Sequence, residues 1–238
     1  MDVDDILTSL ARGLVEGADR GVALPLRLGR SAARVLDCDG AAITMAYTQP
    51  ERVTLCTTDD TALILEEAQD VTGQGPGPDA FTTGAYQHLQ LVEADDRPRS
   101  WPLLRFDSVP DLAPLVVHAL PLGPTGEAVG VLTLYQRGLG RSIDLEVAGI
   151  VSRAVTAALL ADVPTQSFID HGPWSERAEV HQATGMVVAQ LHVPEADALA
   201  LIRGHAYSND QSVGASAHAV VTRRLRFAAS SDQEIETS

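Results

Sequence analysis

The stretch ERAEVHQATGMVVAQL (176–191) sets Arg177, His181, Gln182 and Thr184 close to a glycine, Gly185. Val180, Ala183, Val187 and Leu191 recur every three to four residues, which predicts a helix with one packed stripe. On that helix Arg177, His181, Thr184 and Gly185 fall on one side, away from the stripe. These are hydrogen-bonding groups, and the cation among them is a guanidinium able to grip an oxyanion bidentately. A glycine inside a helix costs about 1 kcal/mol relative to alanine. Gly185 therefore needs a reason. Either another helix crosses closely there, or a ligand approaches the bare peptide groups.

Bond-breaking chemistry finds no support. GQGPGPD (73–79) is glycine-rich but lacks the Lys-Ser/Thr of a phosphate-binding loop, and GPTGEAVG (123–130) reads as a turn between two strands. There is no HExxH, GxSxG or kinase-like set. The seven histidines form no ligand-spaced pair, and Cys38 and Cys56 lack CxxC spacing, so both thiols are expected to be small buried groups. The expectation is a protein that is not an enzyme, with no metal and no cofactor.

Composition narrows the partners. The 238 residues are 45% hydrophobic and 21% charged, enough for a sizeable core, while aromatics at 4% predict a core of Val, Leu and Ala. The net charge of −15 argues against a generic nucleic-acid binder. Its distribution is uneven. Residues 174–227 hold five arginines (Arg177, Arg203, Arg223, Arg224, Arg226) against five acids, so the rest of the chain carries the whole excess. All 17 basic residues are arginine. No run reaches the ~18 apolar residues of a membrane span. The MDVDD start is unlike a signal peptide. A soluble, cytoplasmic protein without a membrane partner is expected.

The elements that must position these residues follow from periodicity. Helices are predicted over 2–16 and 22–37, then strands AAITMAY (41–47) and RVTLCTT (52–58) joined by a turn at Gln49–Pro50. LILEEAQ (63–69) predicts a short helix that runs into the Gly/Pro-dense loop GQGPGPDA (73–80). HLQLVEA (88–94), LVVHALPL (115–122) and AVGVLTLYQ (128–136) read as strands, with a short helix near 103–108. An apolar helix spans 143–161, a Pro/Gly-containing linker 162–173, and helices about 175–191, 195–207 and 213–226. The tail, 228–238, is acidic and expected to be disordered. The fold class is α+β, an antiparallel sheet flanked by helices (1–161), followed by a small all-α three-helix bundle (174–227).

The segment from Arg177 to Ser212 resembles the ANTAR family of RNA-binding antitermination modules. The likeness is carried by Arg177, the Gln182-Ala183-x-Gly185-Met186 core, then Ala198, Leu201, Arg203 and Ala206, with Asn209 in the next turn. Residues 22–161 resemble a GAF sensor domain through GQGPGPDAFTTG, the strand ending in LPL, and GVLTLYQ before the last helix. Together these resemblances imply a transcription antitermination regulator whose partner is an RNA stem-loop. Arg177, His181, Gln182, Thr184, Gly185, Arg203, His205 and Asn209 would be the contacts, and Arg223, Arg224 and Arg226 a further set. Guanidinium groups would hold phosphates while splayed loop bases supply specificity.

The chain also departs from the ANTAR pattern. Thr184 stands where a lysine is common, Asp210–Gln211 where the turn is often basic, Leu199 where an aromatic is usual, and Pro194 where Ser/Thr caps. A protein-interaction regulator that has lost RNA binding is the alternative. The GAF resemblance implies a small-molecule pocket around residues 70–110, where Trp101 and Phe106 either line a pocket or fill a core. Cys56 is not placed like a chromophore-attaching thiol. A homodimer is expected, with helices 2–16 and 143–161 as its seam, since their apolar stripes exceed what one sheet face needs.

Overall fold

In the computed structural model the described residues are 2–16, 18–46, 52–94, 96, 98–106, 109–124, 126–161 and 173–227. The chain divides into two compact units, Met1–Ser175 and Glu176–Ser238. The expected linker up to residue 172 and the acidic tail 228–238 lie outside the described residues, as does the turn at Gln49–Pro50.

The first unit opens with α1 (Val3–Val15), capped by Asp2, whose carboxylate accepts from Val3 N at 2.7 Å. Asp4 and Asp5 in its first turn meet the positive end of the helix dipole. α2 (Leu24–Val35) carries Pro25 in its first turn, where no amide hydrogen bond is lost. β1 (Gly40–Ala46) and β2 (Arg52–Thr57) pair antiparallel. α3 (Asp60–Thr72) is longer than expected. Asp59 caps it by accepting from Ala62 N at 2.9 Å, and Gly73 ends it at a left-handed φ of 64°.

Two expectations fail next. The Gly/Pro-dense stretch is not all loop, because α4 (Pro76–Thr83) starts inside it. Gly75 takes a φ of 137° that frees the chain to turn, and Pro76 sits in the first turn, where its missing N–H costs nothing. No helix forms near 103–108 among the described residues; Trp101, Leu104 and Phe106 are buried from an irregular segment, and a single 3₁₀ turn follows at Pro110–Leu112.

β3 (Gln87–Leu91), β4 (Leu115–Leu122) and β5 (Gly130–Arg137) complete a five-stranded antiparallel sheet in the order β2-β1-β5-β4-β3. α5 (Leu145–Ala161) follows. Alternation along β5 sorts the two faces. Leu132 and Leu134 join a core with α1, α2 and α5, while Tyr135 packs with Leu65 of α3 and Val131 with Ala80 of α4. The unit is thus the antiparallel sheet flanked by helices that the sequence predicts.

Three helices follow, α6 (Pro173–Leu191), α7 (Glu195–Ser208) and α8 (Val213–Val221). The last is shorter than expected. It stops at Thr222, and Arg223 takes a left-handed φ of 61°, so the arginines after it lie beyond the helix rather than in its last turn. The chain is α+β followed by an all-helical unit. Among the described residues no single helix is long and apolar enough to cross a membrane.

Candidate nucleic-acid interface

The helical unit buries Val180, Ala183, Thr184 and Val187 from α6, Ala198, Leu199, Ile202 and Ala206 from α7, and Val213, Ser216, Ala217 and Val220 from α8. Spacings of three and four on each helix give one narrow stripe per element. Most of these side chains are small, so their cores close with little bulk.

Thr184 belongs to that stripe and not to the polar side on which its chemistry places it. It is 3% exposed, and its hydroxyl donates to the Val180 carbonyl at 2.8 Å. A threonine that bonds back to the preceding turn satisfies its own hydroxyl and is free to be buried. It is removed from the candidate contacts. Gln182 and Gly185 are exposed on α6, with His181 half-buried beside them. A methyl group at Gly185 would meet no described atom within 4 Å. The close helix crossing offered as one reason for this glycine is therefore absent among the described residues. Gly204 of α7 is exposed and equally open. Arg177 lies in α6, and its side chain is outside the described set.

Arg203 and His205 on α7 are half-buried. His205 is engaged inside the unit, with Nδ1 3.2 Å from Ser216 Oγ of α8 and its ring edge-on to Phe227 at 6.2 Å. Asn209 ends α7. Its side chain donates to the His205 carbonyl at 2.8 Å, so it caps the helix while remaining exposed. His218 of α8 meets Glu179 of α6 at 2.8 Å, and Phe227 N donates to Gln190 at 3.1 Å, which ties the segment after α8 to α6. Arg223, Arg224 and Arg226 are all exposed, and Arg224 Nε donates to Thr222 Oγ1 at 3.1 Å. Of the sequence candidates among the described residues, Gln182, Gly185, Asn209 and these three arginines are exposed, while His181, Arg203 and His205 are half-buried.

The sheet unit carries a different kind of polar group. Glu66 is 2% exposed and is held by Arg52, by the Thr44 hydroxyl at 2.8 Å and by Gln69 at 3.3 Å. Gln69 in turn accepts from Gly77 N at 2.7 Å, tying α3 to α4. His118, equally buried, sits 2.8 Å from Tyr86 OH and 3.2 Å from Gln136 Oε1. Burial lowers its pKa, partly opposed by the Gln136 hydrogen bond. Nothing in LILEEAQ or LVVHALPL marks these two residues beyond a polar letter inside an apolar pattern.

Trp101 and Phe106 fill a core with Leu65, Leu89, Leu91 and Leu104, and the Trp101 indole donates to Asp79 at 2.9 Å. Burial pushes the Cys38 and Cys56 thiols up to about 12, which leaves both as packing groups. Among the described residues no group of three His, Cys, Asp or Glu is placed to hold a metal ion.

No protein-family model matches the chain, and no curated protein matches it. Solved structures of similar shape include a methyl-accepting chemotaxis protein, at 14% identity over 66% of this chain and 96% of that one, with a TM-score of 0.41. A GAF domain of A. aeolicus nlh2 in an inactive state matches at 12% identity, 66% and 90% coverage and a TM-score of 0.34. The photosensory core module of a Stigmatella aurantiaca phytochrome matches at 11% identity, 86% and 44% coverage and a TM-score of 0.35. The α+β assignment rests on the strand order and register of the sheet itself.

Proposed function

We propose that the chain is a transcription antitermination regulator, in which the helical unit binds an RNA stem-loop under the control of a GAF-like sensor unit. The observation that carries the proposal is Gly185, an exposed helical glycine with open space where its side chain would be. Helix stability favours alanine at such a position, and no described neighbour forbids it. A backbone left bare at a cost in stability is explained by a partner that must approach the peptide groups. Gln182, one turn before, offers a carboxamide for base edges, and the ANTAR resemblance adds Arg177 and Arg203 as phosphate contacts. The signal would enter through the first unit, as a small-molecule ligand or through association of two chains. No covalent step is required. A protein that binds only one of two competing RNA folds shifts their populations by its differential affinity.

The test is binding of the full chain to a paired-hairpin RNA and to a loop-scrambled control at two salt concentrations. Arg177→Ala, Arg203→Ala and Gly185→Ala are measured beside the parent. Loop-dependent binding that weakens with salt and drops in all three variants supports the proposal. Equal binding to the scrambled loop, or none, refutes it and leaves a regulator that works through protein contacts.

A further inference from the structure

Trp101 and Phe106 fill a core in the region around residues 70–110, but a groove of about 600 Å³ opens elsewhere on the sheet unit, between α5 and the end of β4. One face of α5 forms its long side. Leu145 and Leu160 stand 55% and 59% exposed at its two ends, about 22 Å apart along the helix axis. The groove-lining positions between them include Gly149, Ser152, Thr156 and Ala157, so missing bulk between two leucines leaves a trough. Leu120 and Ser152, both buried, form its floor. The opposite rim is built of backbone. Gly84 lies so near Gly126 that a side chain on it would begin 3.2 Å from the Gly126 Cα, and Gly123 turns at a φ of 143° beside Pro124. Leu120 belongs to the core beneath α5, so this groove is separate from the buried Glu66 network on α3.

The hydroxyls that line the groove already have partners. Ser152 Oγ donates to the Pro121 carbonyl, and Thr156 Oγ1 donates to the Ser152 carbonyl at 2.8 Å. Tyr86 OH lies 2.8 Å from His118 Nδ1. Arg153 is the charged residue in the walls, and no ion pair among the described residues engages it. Its Nη1 lies 3.4 Å from where a side chain on Gly149 would begin, so the guanidinium lies over the bare turn of α5. Glycine inside a helix weakens it, and here it leaves room for that cation.

We infer that this groove binds a small amphipathic carboxylate, with its apolar body along the α5 trough and its head on Arg153. Ligand clefts of this size are mostly apolar, with a few polar groups that fix orientation. A guanidinium holds a carboxylate through two parallel N–H bonds. A neutral apolar molecule would cover the same guanidinium without giving it a counter-ion, which is unfavourable. A cationic one would be repelled. A membrane surface would call for several cations, and these walls hold one. The inference does not depend on RNA binding, and no RNA enters its test.

Calorimetric titration of the full chain with octanoate, beside octanol and octylammonium, tests it. Octanoate should bind at one site about tenfold or more tightly than either. Arg153→Gln should bring octanoate down to the level of octanol. Ala157→Trp, which fills the trough from an exposed position, should weaken octanoate about tenfold or more. Helical signal confirms that each variant is folded, and amide shifts on titration should centre on Gly84, Gly123 and Gly149. Absence of saturable octanoate binding, equal binding of octanoate and octanol, or a site indifferent to both substitutions overturns the assignment.

Discussion

Glycines of the two units answer opposite needs. In the sheet unit a methyl group at Gly130 would come within 2.6 Å of both Met45 Sδ and the Thr44 carbonyl, and one at Gly13 within 2.9 Å of Ser31 Cβ. There the backbone comes close because strand must lie on strand and helix on helix. In the helical unit Gly185 and Gly204 face open space, although each stands in the middle of a helix. Polar groups divide in the same way. The sheet unit buries Glu66 and His118 inside satisfied networks, whereas the helical unit leaves Gln182, Asn209 and three arginines at its surface. One unit keeps its special residues for its own structure. The other leaves several of them exposed, although Thr184 and His205 serve its own packing.

The largest effect that sharpens this contrast belongs to the buried network. Arg52→Met leaves the Glu66 carboxylate buried without its counter-ion, and a loss of about 3–5 kcal/mol is expected in denaturant unfolding. The double variant Arg52→Met/Glu66→Leu removes both charges and should recover a large part of that loss. If the single variant is as stable as the parent, the network is ornamental and the sheet unit has no special polar interior.

Gly130→Ala comes next. Its methyl group would press on a backbone carbonyl that the β1–β5 ladder holds in place, so the cost should be about 1–3 kcal/mol. Thermal or urea unfolding reads it directly. A neutral result would mean that the sheet gives way easily and that close approach does not explain the glycine.

Much of the fold was legible because its elements are long and regular in pattern. LVVHALPL forms β4 over the residues read as a hydrophobic strand, and the apolar repeat of 143–161 becomes α5, which starts two residues later than expected. The misses have physical causes. Composition read the Gly/Pro stretch as loop, yet proline is harmless in a first helical turn, and so Pro76 begins α4. Leu225 bonds back to Ala219 once Arg223 turns left-handed, so α8 closes early without a glycine to announce it. Site residues were harder. Helical position grouped Thr184 with Arg177, His181 and Gly185, but it borders the packed stripe, and a hydroxyl that can bond its own helix does not need water. The space beside Gly185 is set by how the helices pack, which helical spacing alone does not determine.

The smallest effect is also the one that joins stability to function. Gly185→Ala should raise stability by about 0.5–1 kcal/mol, because alanine is the better helix former and the new methyl group meets no described atom within 4 Å beyond its own helix backbone. A packing glycine would behave in the opposite way, as Gly130 is expected to do. Measured together, the two substitutions should move unfolding midpoints in opposite directions. The same Gly185→Ala protein then bears on the interface. A variant that is more stable and yet binds hairpin RNA less well separates the two demands on one residue, since the fold gains from the methyl group that the partner cannot accommodate. If stability falls instead, an unseen neighbour crosses α6 at this point, and the bare backbone ceases to be an argument for any ligand.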